Sequence, residues 1–155
     1  MGEVITWDQI DSKLSPLRNQ NKKIVFTNGC FDLLHVGHVR YLKEARALGD
    51  FLVVGVNTDR SVQVLKGPTR PIQNQNDRAE ILASLGAVDL VVIFDEETPL
   101  DLIKRVKPTF LVKGGDWKPE TIVGFDFVNS YGGKVCSLQF IDGKSTTNII
   151  NKSKS

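Results

Sequence analysis

Apolar positions along the chain fall into short, nearly continuous runs, with segments of helical spacing between them. Ile24–Asn28 (IVFTN), Phe51–Val56 (FLVVGV), Leu90–Phe94 (LVVIF) and Thr109–Val112 (TFLV) are rich in β-branched residues, and Lys134–Phe140 is a fifth run. Strands apolar on both sides belong to a parallel sheet covered on both faces. Val36–Leu48 sets Val36, Val39, Tyr41, Leu42, Ala45 and Leu48 at helical spacing and stops at Gly49. Asp77–Leu85 reads as a helix after a loop rich in Lys, Gly and Pro. Thr98 and Pro99 supply an N-cap and a first helical residue for a helix through Val106. Residues 6–19 predict a short helix that Pro16 should break or bend, and a last short helix follows Ser145.

Strands alternating with helices predict an α/β domain, Rossmann-like, with a parallel five-stranded sheet and helices on both faces. The domain spans residues 22–155 and an N-terminal helical segment covers 1–21. Such sheets bind ligands beyond the carboxyl ends of their strands. The loops after Asn28, Val56, Phe94, Val112 and Phe140 are therefore the places to look for chemistry.

Composition narrows the class. A chain of 155 residues suits one domain. A formal charge of +2 is too small to make nucleic acid the main partner. No apolar run reaches membrane-spanning length, and the first ten residues lack a secretion pattern, so no membrane partner is expected. Cys30 and Cys136 are the only cysteines and read as free thiols, which predicts a cytoplasmic protein.

The first loop is TNGCFDLLHVGH, residues 27–38, and it holds both histidines of the chain, His35 and His38. Their spacing puts both imidazoles on one face of a first helical turn. Backbone N–H groups are unpaired there and the helix dipole favours anions. Gly37 removes a side chain where a phosphate would approach. Capping or core histidines are the plain alternative. A zinc pair is disfavoured, because neither cysteine has ligand spacing and HExxH is missing. Gly143–Ser145 resembles the end of a Walker A loop, but Leu138 stands where its first glycine belongs.

The remaining loops supply charge and hydroxyls. Lys66–Pro71 (KGPTRP) carries two cations and is either a solvated loop or a cation supply for a polyphosphate, with Lys66 as the point charge. Arg78 opens a helix, where a cation is unfavourable. A ligand anion and a solvated position are both open. Residues 111–120 (LVKGGDWKPE) bring glycines, Lys113, Asp116 and Trp117 to the sheet edge, favouring a site over a plain turn. Ser145, Thr146 and Thr147 stand before Ile149–Ile150, where capping and phosphate binding are both open.

GCFDLLHVGH together with STTNI resembles the cytidylyltransferase-like superfamily of nucleotidyltransferases. Within it, TNGCFDLLHVGHVRYLKEARALGD, LKGPTRPI, RAEILASLGAVD, LVKGGDWKPETIVG and STTNII are similar to the ADP-heptose synthase adenylyltransferase domain, over roughly residues 22–152. The resemblance implies transfer of AMP from ATP to D-glycero-D-manno-heptose 1-phosphate for surface-glycan precursors. It implies that His35, His38 and Lys66 are catalytic at the α-phosphate. Asn28, Gly29, Phe31 and Gly37 would line the nucleotide, with Arg78 and Ser145–Thr147 at its phosphates. Asp32, Lys113, Gly114 and Asp116 would take the acceptor or ribose. Mg2+ with the triphosphate, a homodimer, and a separate sugar kinase upstream are implied as well. A homodimer would also cover Trp7, Ile10, Leu14 and Leu17, although the chain's own sheet is the other candidate. Glycerol-3-phosphate cytidylyltransferases are close cousins, but they place an arginine shortly before the serine–threonine motif, where Phe140–Asp142 stand here. A non-catalytic nucleotide sensor would have no need of imidazoles at the α-phosphate.

Overall fold

The structure, a computed structural model, describes residues 2–139 and 146–154. Six parallel strands make one sheet: β1 (Glu3–Ile5), β2 (Ile24–Gly29), β3 (Phe51–Asn57), β4 (Leu90–Phe94), β5 (Phe110–Gly114) and β6 (Lys134–Leu138). Their order is β1-β4-β3-β2-β5-β6, and every pairing is parallel. The helices are α1 (Ile10–Asn19), α2 (Val36–Ala47), α3 (Asp59–Lys66), α4 (Gln75–Ala83), α5 (Leu100–Val106), α6 (Phe125–Ser130) and α7 (Thr146–Lys154).

The sheet is buried on both faces, as its continuous apolar strands require. Phe26, Val53, Leu90 and Val92 pack with Ile10 and Leu14 of α1, Leu102, Ile103 and Val106 of α5, and Val128 of α6. Alternate residues Val25, Leu52, Val54 and Val91 pack on the other face with Tyr41, Leu42 and Ala45 of α2 and Ala79 and Leu82 of α4. Period-two alternation along each strand thus feeds two half-cores.

The sheet has six strands rather than the expected five. The extra one, β1, pairs Glu3, Val4 and Ile5 with Leu90, Val91 and Val92 at the edge. Three residues are too short to show a period. Pro16 neither breaks nor ends α1. Its missing N–H costs one helical bond, about 3 kcal/mol in a helix interior. Ile10 and Leu14 are fully buried, and each fully buried side chain of that size returns about 1.5–3 kcal/mol. The chain's own sheet therefore covers the N-terminal apolar residues, which removes that ground for a dimer.

Helix α3 occupies part of the expected loop after β3. Thr58 caps it by accepting from the Ser61 N–H at 3.2 Å. Val62 is buried, but Val64 and Leu65 are exposed, so the helix buries little apolar surface. The helix after β4 starts one residue later than expected, with Pro99 as its N-cap.

Candidate active site

Chain order reverses between β2 and β5, which lie side by side through Val25–Phe110 and Phe26–Leu111. A crevice is expected beyond the carboxyl ends of such a pair. A cleft of about 210 Å³ lies there. Asn28, Gly29 and Phe31 from the end of β2 form one wall, and Lys113 and Gly114 from the end of β5 form another. His38, Lys66 and Arg70 bring donors to the same space.

The loop after β2 is tightly folded. Phe31 has a left-handed backbone, φ 47°, a conformation that costs a non-glycine residue about 1–2 kcal/mol. Its buried ring meets the His38 imidazole edge-on, with centroids 5.3 Å apart. Gly29 allows this, because a Cβ there would lie 3.0 Å from the Phe31 ring. Tyr41 and Thr27 share a buried hydrogen bond of 2.6 Å behind the cleft.

Both histidines cap α2. His35 is the N-cap, and its Nδ1 accepts from the Gly37 N–H at 3.0 Å. Nδ1 of His38 accepts from the His35 N–H at 3.4 Å. The Gly37 N–H is thus occupied, so this part of the anion cradle is the histidines' own work rather than bare backbone. Capping and ligand roles are compatible. A neutral imidazole that accepts at Nδ1 carries its proton on Nε2. Both rings are held as Nε2–H donors and stack 3.9 Å apart. Burial, then the neighbouring His35 and Lys66, push the His38 pKa down to about 4. His38 is therefore a neutral donor at physiological pH. Burial also pushes the Cys30 thiol up, so this cleft residue offers no thiolate at neutral pH.

Two sequence expectations change. The Arg78 side chain is fully buried and is neither solvated nor turned to a ligand. Its Nε donates to Gln73 O at 2.9 Å, and its Nη1 to Cys30 O and Asn57 O at 2.7 and 2.8 Å. Its Nη2 pairs with Asp59 at 2.7 Å. One guanidinium ties together the loops after β2 and β3 and the entry to α4. Asp32 is 1% exposed, and its carboxylate is engaged by Arg70 Nε at 2.7 Å and by the N–H groups of Ile72 and Gln73. Burial alone would raise its pKa, but the N–H groups of Gln73 and Ile72 and the Arg70 guanidinium outweigh this and hold it below the usual range.

Elsewhere the expected residues divide. Lys113 reaches the cleft with its Nζ 4.4 Å from the centre of the Trp117 ring, whose Nε1 donates to Gly114 O at 3.1 Å. Lys113 thereby covers one face of the Trp117 ring. Asp116 is exposed and does not line the cleft. His35 and Gly37 sit at the helix start beside it. Ser145 lies outside the described residues, while Thr146 and Thr147 open α7. Among the described residues no group of three His, Cys, Asp or Glu could hold a metal ion. Asp32, a carboxylate lining the cleft, is already paired. The donor set therefore does not suit a protein-held ion. Among the described residues no helix is long and apolar enough to cross a membrane.

Comparison with known proteins agrees with this fold. The pattern of the family described as Cytidylyltransferase-like matches residues 26–150. The chain is 59% identical over 135 residues to the Bifunctional protein HldE of Syntrophotalea carbinolica, covering 87% of this chain and 28% of that protein. It is 51% identical over 150 residues to the protein of the same name in Methylobacillus flagellatus, covering 97% and 31%. The chain thus spans less than a third of the length of these curated relatives. The lipopolysaccharide core biosynthesis protein of Thermoplasma volcanium superposes with a TM-score of 0.63 at 33% identity, covering 77% of this chain and 97% of that one. Pantothenate synthetase from Thermus thermophilus, at 18% identity and TM-score 0.64 over 99% of this chain and 70% of that one, shares the fold.

Proposed function

The chain belongs to the cytidylyltransferase-like family, and from that premise we propose that it transfers AMP from ATP to D-glycero-D-manno-heptose 1-phosphate. The products are ADP-heptose, for lipopolysaccharide or other surface-glycan synthesis, and pyrophosphate. The observation that carries the reading is the meeting of the His38 Nε2–H, Lys66 and Lys113 in one cleft at the β2–β5 reversal. The heptose acceptor rests on the similarity of the Lys113–Trp117 loop and its surroundings to the ADP-heptose synthase domain. The names of the HldE relatives and of the Thermoplasma protein support it.

The chemistry needs no covalent enzyme intermediate. An oxygen of the sugar phosphate attacks the α-phosphorus, a new P–O bond forms, and the bond to pyrophosphate breaks. Catalysis is then positioning and stabilisation of charge on the phosphoryl oxygens. Two fixed Nε2–H donors and the Lys66 ammonium suit that task, since donors already aimed need no reorganisation as charge develops. Lys113 and Gly114 receive the acceptor from the opposite wall. Magnesium comes with the triphosphate and is held by phosphate oxygens.

The decisive assay is pyrophosphate release with ATP, GTP and CTP, each crossed with heptose 1-phosphate and glycerol 3-phosphate. ATP with heptose 1-phosphate should exceed every other pair at least tenfold. Highest turnover with CTP and glycerol 3-phosphate would make the chain a cytidylyltransferase. No release with any pair would make it a nucleotide-binding sensor. The reading extends to a cytoplasmic homodimer. Its support is the resemblance, and sedimentation at micromolar concentration checks the dimer.

A further inference from the structure

We propose that Arg70 is a phosphate ligand of the cleft, and that Asp32 is the residue that positions it. The inference rests on the reading of the chain as a nucleotidyltransferase. The Arg70 side chain is 11% exposed and lines the same cleft as His38, Lys66 and Lys113. Its Nε is fixed by Asp32 Oδ2 at 2.7 Å. The Asp32 carboxylate is itself fixed by the Ile72 N–H, at 2.8 and 2.9 Å to its two oxygens, and by the Gln73 N–H at 3.0 Å. The guanidinium is planar and rigid, so fixing Nε sets the plane in which both Nη atoms lie. Nη2, next to Nε, is buried and has no hydrogen-bond partner among the described residues.

A buried donor left unmade costs about 1–3 kcal/mol, and more on a charged group. Arg70 also lines the cleft. An anionic oxygen that enters there meets a guanidinium with donor capacity that Asp32 does not use up, and a small shift of the side chain brings Nη2 to it. The donor matches phosphate geometry, and charge-assisted hydrogen bonds of this kind are the strong ones. The three cleft cations then differ in kind. Lys66 and Lys113 supply net charge, whereas Arg70, balanced by Asp32, supplies a direction. The oxygen belongs to either the nucleotide or the sugar phosphate, which share this chemistry.

Arg70→Lys separates the two roles, because it keeps a cation opposite Asp32 and removes Nη2. KM for ATP and for heptose 1-phosphate is measured separately in Arg70→Lys and Asp32→Asn, beside thermal unfolding. The expected result is a KM raised about tenfold or more for one substrate in Arg70→Lys, the scale of one charge-assisted hydrogen bond. The other KM should stay within twofold, and Asp32→Asn should shift the same KM in the same direction. A rise confined to heptose 1-phosphate assigns the oxygen to the acceptor; a rise confined to ATP assigns it to the nucleotide. Both KM values within twofold of wild type overturn the proposal, whatever the change in Tm. A wild-type readout is independent of catalysis and of variant folding: arginine side-chain NMR during titration with inorganic phosphate. A shifted Arg70 Nε–H resonance supports the proposal and an unmoved one overturns it. If wild type releases no pyrophosphate, the functional reading fails, and this titration still decides the role of Arg70.

Discussion

His35 and His38 stack 3.9 Å apart while each spends its Nδ1 on a backbone N–H of the same helix start. The cap and the Nε2–H donor are thus the two ends of one ring. Replacing either ring by alanine should lower kcat about a hundredfold or more, the scale for one lost charge-stabilising donor. It should also cost roughly 1 kcal/mol of stability through the lost cap. His35→Asn, which still caps, should recover the stability and not the rate. Turnover near wild type in His35→Ala or His38→Ala, measured beside urea unfolding, would remove the assignment.

Proton binding to His38 gives a second expectation. Its folded pKa, about 4, lies below the ordinary 6.5. Between those values the unfolded chain binds the proton more readily, so stability is full above pH 6.5 and falls as pH drops toward 4. Asp32 acts in the same direction in a lower window, below its ordinary 3.8. Urea midpoints at pH 7 and pH 5 should differ in wild type, and His38→Gln should narrow the difference. A bound triphosphate should raise the His38 pKa, visible as an upward shift of its imidazole titration by NMR.

Arg78→Ala should behave as a folding variant. It takes the donor away from three carbonyls and from half-exposed Asp59. A buried polar group left unsatisfied costs about 1–3 kcal/mol. Denaturant unfolding checks this. A variant of wild-type stability that had lost ATP affinity would return Arg78 to the phosphates.

Lys113→Ala should raise KM for the sugar phosphate more than KM for ATP, since Lys113 lines the β5 wall of the cleft. Asp116→Ala should do the same more weakly, because Asp116 is exposed and does not line the cleft. Separate KM measurements for the two substrates distinguish the pair. Loss of ATP binding in Lys113→Ala would reverse the two sides of the crevice.

What was legible in the sequence were groups whose meaning is local. The loop of residues 27–38 and Lys113 stand at strand ends that the apolar pattern marks directly, and the structure brings His38 and Lys113 together with Lys66. The internal engagement of Asp32 and Arg78 is not legible, because key partners are distant. Arg70 lies 38 positions from Asp32, and Cys30 lies 48 from Arg78. A single chain read without its fold cannot pair such residues. Arg70 was visible only as a loop cation, since its unmade bond exists only once Asp32 has fixed its orientation. β1 and α3 escaped for a different reason: one is too short for a period, and the other buries little apolar surface.

Strand β1 has a practical consequence. It covers the outer edge of β4, whose sequence LVVIF is apolar and β-branched. Trimming the first five residues would strip that edge and present a row of unpaired N–H and C=O groups on an aggregation-prone segment. A shortened protein should lose solubility before it loses its cleft, and tags or fusions placed ahead of Glu3 need a spacer that lets the strand dock.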